Sequence, residues 1–157
     1  MSSVRTWTPD DRTVVATVTV AGTPERVFRA FTDPAELAAW FWPERFATSY
    51  RLDVREGGEY VIRSDAMGMG VRGRYLEVTP PTRLAMSWRW DGEEGETHVL
   101  VELAAEGDGT LVTVTHGANP SSATRDGHAQ GWRDCLDRLA SGARGAGRRS
   151  PAGAQVE

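Results

Sequence analysis

Apolar and polar residues alternate along the first patterned segment of the chain, from Thr13 to Val20. One face of this segment carries Val14, Ala16, Val18 and Val20, whereas the other carries Val15, Thr17 and Thr19. Alternation with a period of two residues is typical of a strand that buries one face. We therefore predict a first strand here, with the four-residue apolar face turned toward the core.

Two helix starts follow this strand. Thr23 precedes Pro24 as an N-cap residue, and Asp33 precedes Pro34 in the same way. A capping side chain followed by proline at the first helical position favours a helix. Apolar residues then recur at helical spacing, namely Val27, Phe28 and Phe31 in the first segment and Leu37, Trp40 and Phe41 in the second. We predict two short helices, the second closed by Pro43.

From Phe46 to Thr115 the pattern changes to short apolar strands. Glycine- and proline-rich turns separate them at Gly57-Gly58, Met67-Gly68-Met69-Gly70, Pro80-Pro81, Asp91-Gly92 and Gly107-Asp108-Gly109. Turns at intervals of roughly ten residues predict a meander of about six strands.

The last patterned segment, Ser122 to Ala140, has the period of an amphipathic helix. Its apolar residues are Ala129, Trp132, Cys135, Leu136 and Leu139. The order of elements predicts an α+β fold in which a curved antiparallel sheet of about seven strands wraps around this helix. We predict one domain over residues 12–140, a flexible lead-in over residues 1–11 and a disordered Gly/Ala/Arg-rich tail over residues 141–157.

Composition and charge narrow the function. The 157 residues are 39% hydrophobic and 25% charged, as in a globular protein, and the net charge of −4 argues against nucleic acid as a partner. Lysine is absent from the sequence, which excludes lysine-based covalent catalysis, and the single cysteine excludes an internal disulfide. The chain shows neither a long apolar run nor a signal-peptide pattern, so we expect a cytoplasmic protein without membrane insertion.

Several motifs, in order, make the chain resemble a known family over residues 13–140. They are TPERVF at 23–28, FTDP at 31–34, LAAWFWP at 37–43, EGGEY at 56–60, GRYLEVTPPTRL at 73–84, TVTH at 113–116 and GWRDCLDRL at 131–139. These residues resemble the bacterial homologues of the activator of the heat-shock-protein-90 ATPase, in the START and Bet v 1-like (SRPBCC) superfamily. The resemblance implies a helix-grip fold with an apolar cavity between sheet and terminal helix, and it implies a chaperone as one kind of partner. It brings no catalytic set.

Alternation within the strands indicates which side chains face that cavity. Leu84, Met86, Trp88 and Trp90 share one face of a predicted strand, and His128 and Trp132 lie four residues apart on the long helix. The resemblance places Trp40 and Trp42 at the entrance. The full predicted ligand-binding set is Trp40, Trp42, Tyr60, Met69, Tyr75, Met86, Trp88, Trp90, His116, His128 and Trp132.

Few side chains in the sequence are candidates for a catalytic role. Of the three histidines, His116 and His128 are candidate bases together with the Tyr60 hydroxyl, whereas Cys135 and His128 lie about 10 Å apart along the helix, too far for a nucleophile pair. We expect neither a metal site nor a cofactor, since the sequence has no His-Glu-x-x-His or phosphate-binding glycine motif.

The leading hypothesis is a small protein that binds a hydrophobic or aromatic small molecule in this cavity. One alternative is a cyclase or aromatase acting on a polyketide-like substrate, and another is a chaperone-associated or stress-response partner protein. The sequence also leaves a homodimer open.

Overall fold

The alternating valines lie in strand β2, which pairs on one side with a strand that the sequence pattern does not show. A computed structural model describes the backbone of residues 4–148 and the side chains of residues 4–143. Strand β1 (Arg5–Asp10) pairs antiparallel with β2 (Thr13–Ala21) and forms one edge of the sheet. The inward face of β2, from Val14 to Val20, is buried as predicted.

Strand β1 corrects the prediction of a flexible lead-in over residues 1–11. Five of its six residues are exposed. Because neither face of the strand is buried, its sequence does not alternate between apolar and polar residues. Backbone pairing with β2, for example of Trp7 with Val15, holds the strand instead. The sheet therefore has eight strands rather than about seven, and residues 1–3 of the predicted lead-in lie outside the described residues.

Two short helices follow β2, as predicted. In α1 (Pro24–Thr32) the Thr23 hydroxyl accepts a hydrogen bond from the backbone N–H of Arg26, and in α2 (Pro34–Ala38) the Asp33 carboxylate accepts from two N–H groups. Helix α2 ends well before Pro43, and the carbonyls that follow it accept hydrogen bonds from distant side chains. The thiol of Cys135 donates to the carbonyl of Phe41, and the Arg138 guanidinium donates to the carbonyls of both Trp40 and Phe41.

The meander then completes the sheet. After a 3-10 turn at Glu44–Phe46 come β3 (Ser49–Leu52), β4 (Glu59–Ser64), β5 (Met69–Thr79), β6 (Arg83–Trp90), β7 (Thr97–Glu106) and β8 (Gly109–Gly117). All pairs are antiparallel, and the spatial order is β1-β2-β8-β7-β6-β5-β4-β3. Pairing of β2 with β8 joins the first two strands to the last strand of the meander.

The terminal helix α3 (Ser122–Arg148) packs against the inner face of the sheet. The Ser121 hydroxyl caps it by accepting from the N–H of Thr124. The helix continues beyond Ala140, which corrects the predicted disordered tail for residues 141–148, because Ala143 still packs against the core. The remainder of that tail, residues 149–157, lies outside the described residues.

One glycine in β5 is required by a close approach between strands. A Cβ at Gly73 would lie 2.0 Å from the carbonyl oxygen of Ser87 on β6. Gly73 pairs with Tyr60, whose hydroxyl donates to that same carbonyl at 2.5 Å. The missing side chain at Gly73 therefore lets the tyrosine ring reach across β5 to β6.

Gly73→Ala should destabilise the protein by about 2–3 kcal/mol, since the methyl group forces the backbone of β6 away. Urea denaturation measures this loss. Gly95→Ala is the control, because a Cβ there meets no atom within 4 Å, and it should change the free energy of unfolding by less than about 0.5 kcal/mol. Equal stability of the two variants would contradict the proposed role of Gly73.

Candidate functional site

Two buried histidines stack face to face where the sheet meets the terminal helix. His116 lies on β8 and His128 lies on α3, and their ring centroids are 3.9 Å apart with an angle of 19° between the planes. Both side chains are buried, His116 completely. The pair joins the sheet to the helix through ring contact.

Hydrogen bonds fix the protonation of His116. The indole N–H of Trp132 donates to its Nδ1 at 3.0 Å. The other ring nitrogen, Nε2, lies 2.7 Å from the Thr97 hydroxyl oxygen, and that hydroxyl lies 3.3 Å from the carbonyl of Trp88. Because Nδ1 accepts, the neutral ring carries its proton on Nε2 and donates it to Thr97.

The hydrogen bonds of His128 identify its protonated ring nitrogen in the same way. The indole N–H of Trp90 donates to Nε2 at 2.9 Å, so the proton lies on Nδ1 and is donated to the Oδ1 atom of Asn119 at 2.6 Å. Asn119 is fully buried, and its amide N–H groups donate to the carbonyls of Arg12 and His116. Asn119 thus links the helix to the β1–β2 turn and to the end of β8.

Both imidazoles are neutral in this arrangement. Burial lowers the pKa of His128 to about 4 and lowers the pKa of His116 well below its usual value, with the neighbouring His128 adding to the effect. In each ring one nitrogen accepts from an indole and the other donates. A histidine whose lone pair already holds a hydrogen bond cannot take a proton from a substrate unless that bond breaks. The geometry does not support either ring as a base.

The other candidate catalytic groups also have their polar atoms bonded within the protein. Burial raises the pKa of Tyr60, whose hydroxyl donates to the Ser87 carbonyl. Burial also raises the pKa of Cys135 to about 12, and its thiol donates to Phe41. A thiol with so high a pKa carries almost no nucleophilic thiolate at neutral pH.

Aromatic rings fill most of the space between sheet and helix. A void of about 30 Å³ remains at the centre, lined by Phe31, Leu37, Trp40, Phe41, Leu52, Tyr60, Ile62, Tyr75, Met86, Trp88, Val101 and Trp132. Ligand sites usually measure roughly 300–1,000 Å³. The centre of the fold is therefore core, and the predicted residues Trp40, Tyr60, Tyr75 and Met86 surround this void.

A larger pocket of about 200 Å³ opens beside it, between α3 and the ends of β5 and β6. Its lining residues are Phe41, Trp42, Met69, Trp88, Trp90, Gly127, His128, Gly131, Trp132 and Cys135. Trp88 and Trp132 line both spaces and separate the pocket from the void. Six of the eleven predicted binding residues line this pocket, and His116 lies behind it through its bond to Trp132.

The predicted set omits an asparagine, a threonine and two glycines at the site. Asn119 and Thr97 bond to the histidines, and Gly127 and Gly131 leave the space on the helix side of the pocket. The two glycines lie four residues apart on the helix face that carries Cys135, so their spacing was a signal for an opening. Asn119 has no such signal, because its role depends on contacts with distant segments.

Two other concavities differ in character. A groove of about 200 Å³ lies between α1, α2 and the end of α3, and includes Arg26, Glu36 and Arg138. A polar hollow of about 390 Å³ on the outer sheet face includes Arg72, Arg74 and Arg89. Within the part of the chain that the structure describes, no three metal-binding side chains gather at one place, and no helix has the length and apolarity to cross a membrane.

A curved antiparallel sheet that wraps around a C-terminal helix defines a helix-grip protein, and here it carries an aromatic pocket at its opening. The family model described as "Activator of Hsp90 ATPase homolog 1-like protein" matches residues 21–143. The chain belongs to this family, which confirms the resemblance seen in its motifs. Comparison with curated protein sequences gives no match.

Solved structures show the same fold. A protein of Chromobacterium violaceum is 29% identical, with a TM-score of 0.73 over 84% of this chain and 97% of its own. CalU16 from Micromonospora echinospora is 27% identical, with a TM-score of 0.67 over 88% of this chain and 82% of its own. DynU16, a protein in the dynemicin biosynthetic locus, is 25% identical, with a TM-score of 0.73 over 85% of this chain and 47% of its own.

Acid should destabilise the fold through the two histidines. An unfolded histidine has a pKa near 6.5, so as the pH falls toward 4 only the unfolded chain takes up these protons. The free energy of unfolding should therefore fall over this window. Urea denaturation at about pH 7.5 and about pH 5 should show a loss of up to about 2 kcal/mol for each histidine.

Variants separate this effect from the titration of other groups. His116→Gln removes one of the two depressed pKa values and should lose about half of the histidine contribution. His98→Gln is the comparison, because His98 is exposed and its charge is the smallest of the three causes that lower the pKa of His116, so this variant should keep most of the pH dependence. A His116→Gln protein with the pH dependence of the wild type would contradict the assignment.

Proposed function

We propose that this protein binds a small, neutral, hydrophobic or aromatic molecule in the pocket at the opening of the fold, in the cytoplasm. The observation that carries the proposal is the pocket of about 200 Å³ lined by four indole rings, the His128 imidazole and two helix glycines. Flat aromatic walls favour a flat apolar ligand, which can stack on them and bury its surface.

The lining chemistry supports a neutral ligand. None of the described residues that line the pocket carries a charge, since its only titratable side chains are a neutral histidine and a protonated thiol. An ionised group moved into such a pocket would lose its hydration without gaining a partner. A fatty-acid carboxylate would therefore have to remain outside, in water.

The size of the pocket limits what can enter. Its volume lies below the usual range for ligand sites, although a dry cavity of about 150 Å³ in another protein accepts benzene. A ligand of one or two rings fits entirely, and only one end of a larger molecule fits. Met69 lines the rim, and its flexible side chain can adapt to different shapes.

The structural relatives are in keeping with a small-molecule ligand. DynU16 is a protein in the dynemicin biosynthetic locus, and it shares a quarter of its aligned residues with this chain.

The two alternative functions, an enzyme and a chaperone partner, have less support. A cyclase or aromatase would need an available acid or base, whereas His116, His128 and Tyr60 all have their polar atoms bonded within the protein.

A chaperone partner is suggested by the family description rather than by a surface of this chain. The large apolar side chains that are exposed among the described residues are Trp7 on β1, Met67 in the turn between β4 and β5, and Leu76 on β5. Single exposed apolar residues are common on proteins without a partner at that place. The pocket is therefore the stronger basis for a function.

Filling the pocket from the helix side should abolish binding. Gly131→Leu places a side chain that leans toward Gly127, across the pocket, and a Cβ at either glycine meets no atom within 4 Å. Titration of tryptophan fluorescence with small bicyclic aromatics, flavonoids and aromatic polyketides should show saturable quenching of the wild type. The variant should bind at least about tenfold more weakly, because the leucine takes the place of one or two ligand methylene or ring groups that the wild type buries.

Gly142→Leu is the matched control. Gly142 lies on the same helix, a Cβ there also meets no atom within 4 Å, and it does not line the pocket. This variant should therefore bind like the wild type. A panel without any saturable ligand, or equal affinity of Gly131→Leu and the wild type, would overturn the proposed function.

A further inference from the structure

The groove between α1, α2 and the end of α3 combines apolar walls with charged side chains. It encloses about 200 Å³, and its walls include Val27, Ala30, Trp40 and Leu139. None of the residues that line it also lines the aromatic pocket. The groove is therefore a second cavity, separate from the site proposed above.

Arg138 is fixed in this groove by the backbone and still has N–H groups to offer. Its Nε donates to the carbonyl of Trp40 at 2.9 Å, and its Nη2 donates to the carbonyl of Phe41 at 2.8 Å. A guanidinium has five N–H donors, two of them on Nη1. In the described part of the chain, the buried side-chain nitrogen and oxygen atoms without a partner belong to Thr48 and Trp88. Nη1 of Arg138, which also has no partner there, is therefore reached by solvent.

The charges along the groove favour an anion. Arg26 and Arg138 are both positive, whereas Glu36 is the one acid among the described lining residues. None of the three forms an ion pair with another described residue. Two guanidinium groups without a carboxylate partner produce a positive potential, although the chain has a net charge of −4. Beside an apolar wall this attraction is screened less than on an open surface.

A purely structural role explains only part of this arrangement. The bonds of Arg138 to the carbonyls of Trp40 and Phe41 tie α3 to the segment after α2. They use one edge of the guanidinium and leave Nη1 without a partner, and they do not involve Arg26. Because the two carbonyls already hold the guanidinium in place, an anion that binds it has little side-chain motion to arrest.

We propose that the groove binds a small amphipathic carboxylic acid, with its carboxylate on the Arg138 guanidinium and its hydrocarbon part along the apolar wall. This inference does not rest on the proposed function. A single negative charge suits the site, because Glu36 repels a second one such as that of a phosphate dianion. A dry cavity of about 150 Å³ in another protein accepts benzene, so a short alkyl chain or one ring fits here. The groove thus takes the class of ligand that the uncharged aromatic pocket excludes.

The test compares two probes that differ in charge. Octanoate is ionised at neutral pH, since carboxyl groups have pKa values of about 4, and octan-1-ol has nearly the same chain without the charge. The full chain, uniformly labelled with ¹⁵N, is titrated with each probe at neutral pH, and the backbone amide signals are followed by NMR. Octanoate should shift the amides of Ala30, Ala39 and Leu139 around the groove, and those of Gly127 and Gly131 in the aromatic pocket should stay in place.

Octan-1-ol should bind the groove at least about tenfold more weakly, because it lacks the charge-assisted hydrogen bonds to Arg138. Arg138→Gln should weaken octanoate by a similar factor and leave the affinity for octan-1-ol unchanged. Arg133→Gln is the matched control, since Arg133 is an exposed arginine on the same helix and does not line the groove. This variant should bind octanoate like the wild type.

Glu36→Gln keeps the test decisive where Arg138→Gln folds poorly. It removes the negative charge from the groove, so it should tighten octanoate binding about two- to threefold without changing that of octan-1-ol. A misfolded protein cannot show such a gain. Glu44→Gln removes an exposed carboxylate outside the groove and should leave both affinities unchanged.

The outcomes separate this inference from the proposed function. Equal affinity of the two probes, equal octanoate affinity of wild type and Glu36→Gln, or the absence of any shift around the groove would overturn the inference. None of these results bears on the aromatic pocket, because its proposed ligands are neutral and its lining is separate. Octanoate shifts confined to Gly127 and Gly131 would show that the pocket accepts an anion, which contradicts both this inference and the neutral ligand of the proposed function.

Discussion

The pairing of buried indole and imidazole nitrogens is the constraint on which the rest of the structure depends. A buried aromatic N–H group without an acceptor is costly, and aromatic residues fill this interior. Two neutral histidines solve the problem, since each offers one acceptor to a tryptophan and one donor to Thr97 or Asn119. The same bonds tie strands β6, β7 and β8 to helix α3, so sheet and helix are held in one relative position.

This constraint also decides where the open space lies. Because the rings that meet the histidines extend into the centre, they fill it and leave a void of only about 30 Å³. Space remains where the helix presents Gly127 and Gly131 opposite Trp42 and Trp90, at the opening of the fold. Glycine inside a helix costs about 1 kcal/mol relative to alanine. The two glycines on the pocket face therefore lower the stability of the helix while they leave room for the pocket.

The sequence predicts the fold well where a local pattern carries the information. Capping residues located α1 and α2, alternation located the buried face of β6, and the period of the last segment located the helix. The sequence could not show β1, since an edge strand with exposed side chains is held by its backbone. It also could not show that Arg138, nearly a hundred residues away, binds the carbonyls that follow α2. At the site, alternation predicted that the rings face one another. It could not predict how completely they fill the space, because packing depends on rotamers set by distant partners.

Closed hydrogen bonding removes the two buried histidines from acid–base chemistry. A catalytic imidazole needs a nitrogen that reaches the substrate and a pKa near the working pH, whereas the two histidines here have neither. Perturbed pKa values are often taken as a sign of an active site, but here the cause is burial in a structural network.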